Sequence, residues 1–182
     1  MNKNSYIYRV LNSLKHLVIT TLIGLILSFF MIPINTQLSW AAPILQVLLI
    51  SMFTTSMYIP FWEYGDKDAN LVAFNRKEKD IFTGTKIAIV SIIPYLISSM
   101  LLLFYKLGAP SWTLLVNGIV NVQFTYIFDA LLNIDKLTEP SWLSTIICMI
   151  LPLYTVIVAQ IAYVLGFNHI SIKEKLIYKS KK

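Results

Sequence analysis

Residues 112–133, WTLLVNGIVNVQFTYIFDALLN, decide the fold, because they can be read either as a further membrane crossing or as a segment that stops short of one. The stretch is long enough to cross a hydrocarbon core about 30 Å thick, which takes roughly 20 apolar residues. It is also the most polar of the long apolar stretches, since Thr113, Asn117, Asn121, Thr125, Asp129 and Asn133 recur at every fourth position. Steps of four advance about 400° on an α-helix, so neighbours in the series stack on one slowly spiralling face. Centrally placed charges cost roughly 2.5 to 3.5 kcal/mol on insertion scales, and Asp129 brings a charge into this stretch. These polar groups therefore need partners, water or a place outside the hydrocarbon.

Around this segment the chain is plainly apolar. Of its 182 residues 57% are hydrophobic and 13% charged, with a mean hydropathy of +0.68, which is the composition of an integral membrane protein. The expected fold is an all-α transmembrane bundle forming a single domain over 1–182. Spans are predicted at 17–34, 38–61, 84–105 and 142–167, and 112–133 is a re-entrant segment, a surface helix or a fifth span. Pro43 falls in the first turn of its span, where a missing N–H costs little, and Pro94 and Pro152 lie inside theirs, Pro94 as a predicted bend. Residues 1–16 carry Lys3, Arg9 and Lys15 among apolar residues at spacings of three and four, which predicts a short interfacial helix. Ser39-Trp40-Ala41 resembles a signal-peptide cleavage site, but the preceding apolar run exceeds the usual 7 to 15 residues, so a retained anchor is expected.

The positive charges choose between topologies. With five crossings and the N-terminus inside, nine Lys and Arg lie inside against six outside. If 112–133 does not fully cross, both termini and the polar stretch after the second span share one side, and the distribution becomes thirteen against two. Positive charge is retained on the cytoplasmic side, so four crossings with both termini cytoplasmic is the expected topology. The same arrangement puts Trp40, Trp112 and Trp142 together at the outer interface, where amphipathic rings are favoured. A bacterial plasma membrane is the default reading of an Ile- and Lys-rich chain, and 168–182 is its basic cytoplasmic tail, with five lysines able to meet anionic lipid.

Function is less legible. A chain this short leaves no room for a soluble catalytic domain beside its spans, and it lacks His-Glu-x-x-His, Gly-x-Ser-x-Gly and a phosphate-cradling glycine loop. Its single cysteine, Cys148, and two histidines, His16 and His169, do not make an ordinary zinc site, and no cofactor is expected. Gly65-Asp66-Lys67-Asp68-Ala69-Asn70 resembles the opening of a calcium loop but has Leu71 where glycine belongs and Lys77 where glutamate belongs. Basic clusters beside apolar runs read as topology signals, so nucleic acid is not an expected partner. Two sets of candidate residues follow: Asn117, Asn121, Thr125 and Asp129 as the lining of a ligand site or pathway, and Asp66, Asp68, Arg76, Lys77 and Lys79 as a docking surface for a partner or for lipid. His169 reads as an ordinary interfacial residue.

The expected function is a small non-enzymatic membrane subunit, transport-related or accessory to a larger complex. Its expected partners are membrane lipids together with another membrane or cytoplasmic subunit or further copies of itself. A membrane enzyme acting on lipid head groups, relying on Asp66 and Asp68, is the alternative. A pore-forming, holin-like protein is the third reading.

Overall fold

The computed structural model describes residues 5–37, 40–132 and 141–170, and these are mostly helical with no strand among them. The helices are α1 (Tyr6–Gln37), α2 (Ala41–Ala73), α3 (Thr83–Lys106), α4 (Trp112–Val120), α5 (Thr125–Leu132), α6 (Trp142–Ile150) and α7 (Tyr154–Phe167). Short 3₁₀ turns at Val122–Phe124 and Leu151–Leu153 join α4 to α5 and α6 to α7. Four helical units are long and apolar enough to cross a membrane: α1 over Tyr6–Phe30, α2, α3, and α6 with α7 as one unit, Trp142–Phe167.

Three boundaries differ from the sequence reading. The predicted interfacial helix 1–16 and span 17–34 are one continuous helix from Tyr6, because the face bearing Arg9, Ser13 and Leu17 turns into the bundle and Arg9 finds an acid there. The second span starts at Ala41 and continues to Ala73, so Gly65–Asn70 is helix rather than loop, and the polar connection shrinks to 74–82. The segment 112–133 is no continuous helix: α4 and the stretch Val122–Leu132 meet at 95°. Pro94 lies inside an unbroken α3, whereas Pro152 sits in the 3₁₀ turn. Asn133, Lys136 and the lysines of the tail lie outside the described residues.

Contacts fix which helix ends lie together. Tyr6 Oη donates to the carbonyl of Lys86, Arg9 pairs with Asp68, and Trp62 Nε1 donates to the carbonyl of Ile170. The starts of α1 and α3 therefore meet the ends of α2 and α7. At the opposite end the Lys106 ammonium lies 5.6 Å from the centre of the Trp142 ring. At 33 residues α2 rises about 50 Å, enough to cross the hydrocarbon and reach head groups on both sides of a bilayer about 40–45 Å thick.

The tightest contact is between α2 and α7, which run in the same direction. A Cβ on Gly65 would stand 2.1 Å from the carbonyl oxygen of Tyr163, and one on Gly166 would stand 2.0 Å from that of Trp62. Only glycine lets the two backbones approach this closely, the use small residues serve where lipid provides no hydrophobic drive for helix association. Phe53, Met57, Phe61, Ile87, Ile92 and Tyr163 surround this contact in the main core, and a second core unites Leu102, Phe124, Phe128, Leu132 and Cys148. The helix ends close with local devices. Gly108, Asn75 and His169 adopt left-handed φ of 94°, 54° and 53°, and the N–H groups that follow return to carbonyls of the last turn. Ser141 Oγ caps α6 by accepting from the Ser144 N–H at 3.0 Å.

Candidate functional site

The break between α4 and α5 lies at Asn121 (φ −104°, ψ 38°), in contact with the middle of α3. A broken helix frees peptide groups that need partners in an apolar interior. Gln46 of α2 supplies two: its amide N–H₂ donates to the carbonyl of Gln123, and its Oε1 accepts from the Tyr126 N–H at 3.1 Å. The Asn121 amide donates to Asn117 Oδ1 at 2.9 Å, to Ser99 Oγ at 3.2 Å and to the Tyr95 carbonyl at 3.3 Å, tying the apex to α3. Asn117 and Asn121 are 1% and 0% exposed. Both belong to an internal polar network.

The arms of the V enclose a cleft of about 310 Å³ lined by Asn117 from α4, Thr125 and Asp129 from α5, and apolar side chains including Leu102, Leu115 and Phe128. A second cavity of about 270 Å³ lies against α2, with Gln46, Tyr126 and again Thr125 and Asp129 in its walls. Three of the four candidate lining residues thus share one cleft, and Asn121 stands behind it at the apex. The fourfold spacing does not make one helical stripe, because the chain turns in the middle of it. A carboxamide, a hydroxyl and a carboxylate among apolar walls can bind a small polar or cationic group by hydrogen bonds and charge.

At the other end the proposed docking residues separate. Asp68 is 1% exposed and its oxygens are committed: Arg9 forks onto both at 2.7 Å, Lys77 donates at 2.6 Å and Tyr163 Oη at 2.8 Å. Arg9 also lies 5.2 Å from the centre of the Tyr64 ring. Asp68 is therefore withdrawn from the docking surface, since a buried carboxylate bound by three side chains has no face left for a partner. Asp66 instead meets His169 Nδ1 at 2.7 Å. Arg76, Lys77 and Lys79, with Glu78 and Asn75, line a shallow depression of about 530 Å³. Asp80 precedes α3, its Oδ1 accepting from the Phe82 N–H at 3.0 Å. The Lys86 ammonium at 2.7 Å holds its carboxyl below the ordinary carboxylate range, against a smaller opposing effect of burial.

The residues missed by sequence reasoning are Gln46, Arg9, Tyr163 and His169. Gln46 carried a signal, a lone amide in an uncharged run, and so did Arg9, which shares a spacing of four with Ser13 and Leu17. Nothing local marks Tyr163 as an Asp68 partner, 95 residues away. Among the described residues no group of three or more His, Cys, Asp and Glu is placed to hold a metal ion. Comparison with known protein families, with curated proteins and with solved structures finds no match.

Proposed function

We propose that this chain is a small non-enzymatic subunit of the bacterial plasma membrane, transport-related or accessory to a larger complex, with the α4–α5 element as its ligand-binding or permeation part. The observation that carries this reading is the cleft in which Asn117, Thr125 and Asp129, from two arms of a broken helix, face one space. Irregular backbone at membrane depth is tolerated where it is buried in protein or lines a cavity, and such places serve as substrate sites in transport proteins. In this reading α4 and α5 enter and leave from the end bearing Lys106 and Trp142, four helical units cross, and the end bearing Arg76, Lys77, Lys79 and Lys86 is cytoplasmic.

The test is purification from native membranes in mild detergent, followed by native mass measurement and identification of what copurifies. A stoichiometric protein partner, or a small solute lost in Asp129→Asn and Asn117→Ala at unchanged abundance, is the expected result. A chain that carries neither overturns the reading. Topology is checked with single cysteines in a Cys148→Ser background: a cysteine at position 78 that reacts from outside intact cells reverses the assignment of sides.

The Asp66–His169 pair favours a second reading, a membrane enzyme at the cytoplasmic interface, because a carboxylate on Nδ1 orients an imidazole so that Nε2 can exchange protons. Loss of a head-group-modifying activity in His169→Ala, with Asp129→Asn active, selects it over the first.

A further inference from the structure

The connection 74–82 between α2 and α3 carries two features that the cleft does not use. The first is unbalanced charge. Asp68 is shared by Arg9 and Lys77, so among the described residues this triad carries one positive charge beyond what it neutralises. Lys77, about a third exposed at 32%, brings that surplus to the depression it lines with Arg76, Glu78 and Lys79. Among the described residues Arg76 has no carboxylate partner, and the Lys79 ammonium lies over the Phe167 ring, 5.8 Å from its centre, instead of on an acid. Glu78 offsets only one of these cations, so the depression is positive and suited to an anion.

The second feature is apolar. Phe74 and Phe82 close the two ends of the same connection and are 72% and 66% exposed, with Ile81 also exposed beside Phe82. Uncovered aromatic rings beside basic side chains are the chemistry of residues that sit at head-group depth, ring in the acyl boundary and cation on phosphate. The length of α2 brings its end to that depth.

We propose that 74–82 binds the phosphate of an anionic membrane lipid, held by Arg76 and Lys79 with the Lys77 ammonium beside them, while Phe74 and Phe82 lodge against the lipid's apolar part. Glu78, in the same depression, opposes an anionic head group but offsets only one of the three cations Arg76, Lys77 and Lys79. This site rests on the reading of the chain as a membrane protein and is independent of the ligand of the α4–α5 cleft.

The experiment titrates the full-length protein in mild detergent with phosphatidylglycerol or phosphatidylcholine of matched acyl chains and reads retained lipid by native mass spectrometry. The expected result is preferential retention of phosphatidylglycerol, weakened about thirty-fold in Arg76→Gln/Lys79→Gln, the product of two charges near a lipid surface. Phe74→Ser/Phe82→Ser weakens retention of phosphatidylglycerol with the cations in place. The lipid-free melting temperature of the charge variant stays at the wild-type value; should it fall, Lys79→Gln alone carries the test, with about a fivefold loss expected. Equal retention of both lipids overturns the proposal, as does unchanged phosphatidylglycerol retention in the charge variants. Displacement of the lipid by millimolar inorganic phosphate also overturns it and makes the depression a soluble-anion site. Selectivity in detergent does not depend on which end is cytoplasmic, so failure here is distinct from failure of the cysteine labelling.

Discussion

One end of the bundle and its interior solve the same problem with different chemistry. At the end where α2 meets α7, polar groups are charged and dense: Arg9, Lys77 and Tyr163 converge on Asp68, and Lys86 holds Asp80. Around the break between α4 and α5, the groups tying the backbone together are neutral amides and a hydroxyl from Gln46, Asn117, Asn121 and Ser99. A buried ion pair repays its desolvation only with excellent geometry and further hydrogen bonds, whereas an amide repairs a broken helix without bringing a charge out of water. The charged cluster ties α1, α2 and α7 together, and the amide network lies beside a cleft lined by Asn117, Thr125 and Asp129.

The largest effect that tests this contrast comes from glycine. Gly65→Val sets a branched side chain against the Tyr163 carbonyl and is expected to abolish folded, monodisperse protein, read by size-exclusion chromatography in detergent. Gly118→Ala, in α4 with nothing within 4 Å of its Cβ, is the control in the other region; it is expected to be neutral or to stabilise by up to about 1 kcal/mol. Equal damage by both substitutions breaks the comparison.

Next in size is the ion pair. Asp68→Asn leaves the Arg9 guanidinium buried without its countercharge and is expected to cost about 3 to 5 kcal/mol, seen as a large fall in melting temperature. The double variant Arg9→Met/Asp68→Leu is expected to recover most of that loss, because removing both charges also removes the desolvation penalty. Failure of the double variant to recover would mean that the cluster stabilises by more than its pairing.

A smaller effect is expected in the amide network. Gln46→Leu strands the Gln123 carbonyl and the Tyr126 N–H, at about 1 to 3 kcal/mol, with the damage confined to the V. A cysteine placed at Thr125 in the Cys148→Ser background is then expected to react faster with a thiol reagent, while one placed near Gly65 keeps its rate. Uniform loosening of both regions would show that they are one cooperative unit.

The smallest effect is the pH response of Asp80. Because Lys86 lowers its folded pKa below the ordinary value of 3.8, the pair's contribution is complete above that value and is lost as pH falls through the lowered one. Both groups are substantially exposed, so the loss is slight. Asp80→Asn is expected to lower the melting temperature slightly near neutrality and to converge with the wild type as pH falls through the lowered pKa, which flattens the acid limb of the profile.

Much of this architecture is legible in the chain, and the failures have specific causes. Apolar run length locates α3 and the unit from Trp142 to Phe167 within a few residues, since length and hydropathy are local properties. The end of α2 is misread because Pro60, Trp62 and the charges from Glu63 onward resemble a helix stop. Packing against α7 and the Asp68 network carry the helix twelve residues past the expected end at 61. The separate interfacial helix is misread for the same reason, since Arg9 looks like a surface charge until its acid, 59 residues away, is beside it.

By itself the sequence determined the helical, apolar character of this chain, the clustering of basic residues beside its apolar runs, and the polarity of 112–133, because each follows from composition and local spacing. Tertiary structure alone decided that 112–133 bends at Asn121, that Gln46 and Ser99 satisfy what the bend exposes, that Asp68 is buried, and that Asp66 meets His169. Each depends on two segments distant in the chain arriving within hydrogen-bond reach, and the cost of an unpaired buried polar group is settled only by what stands opposite it.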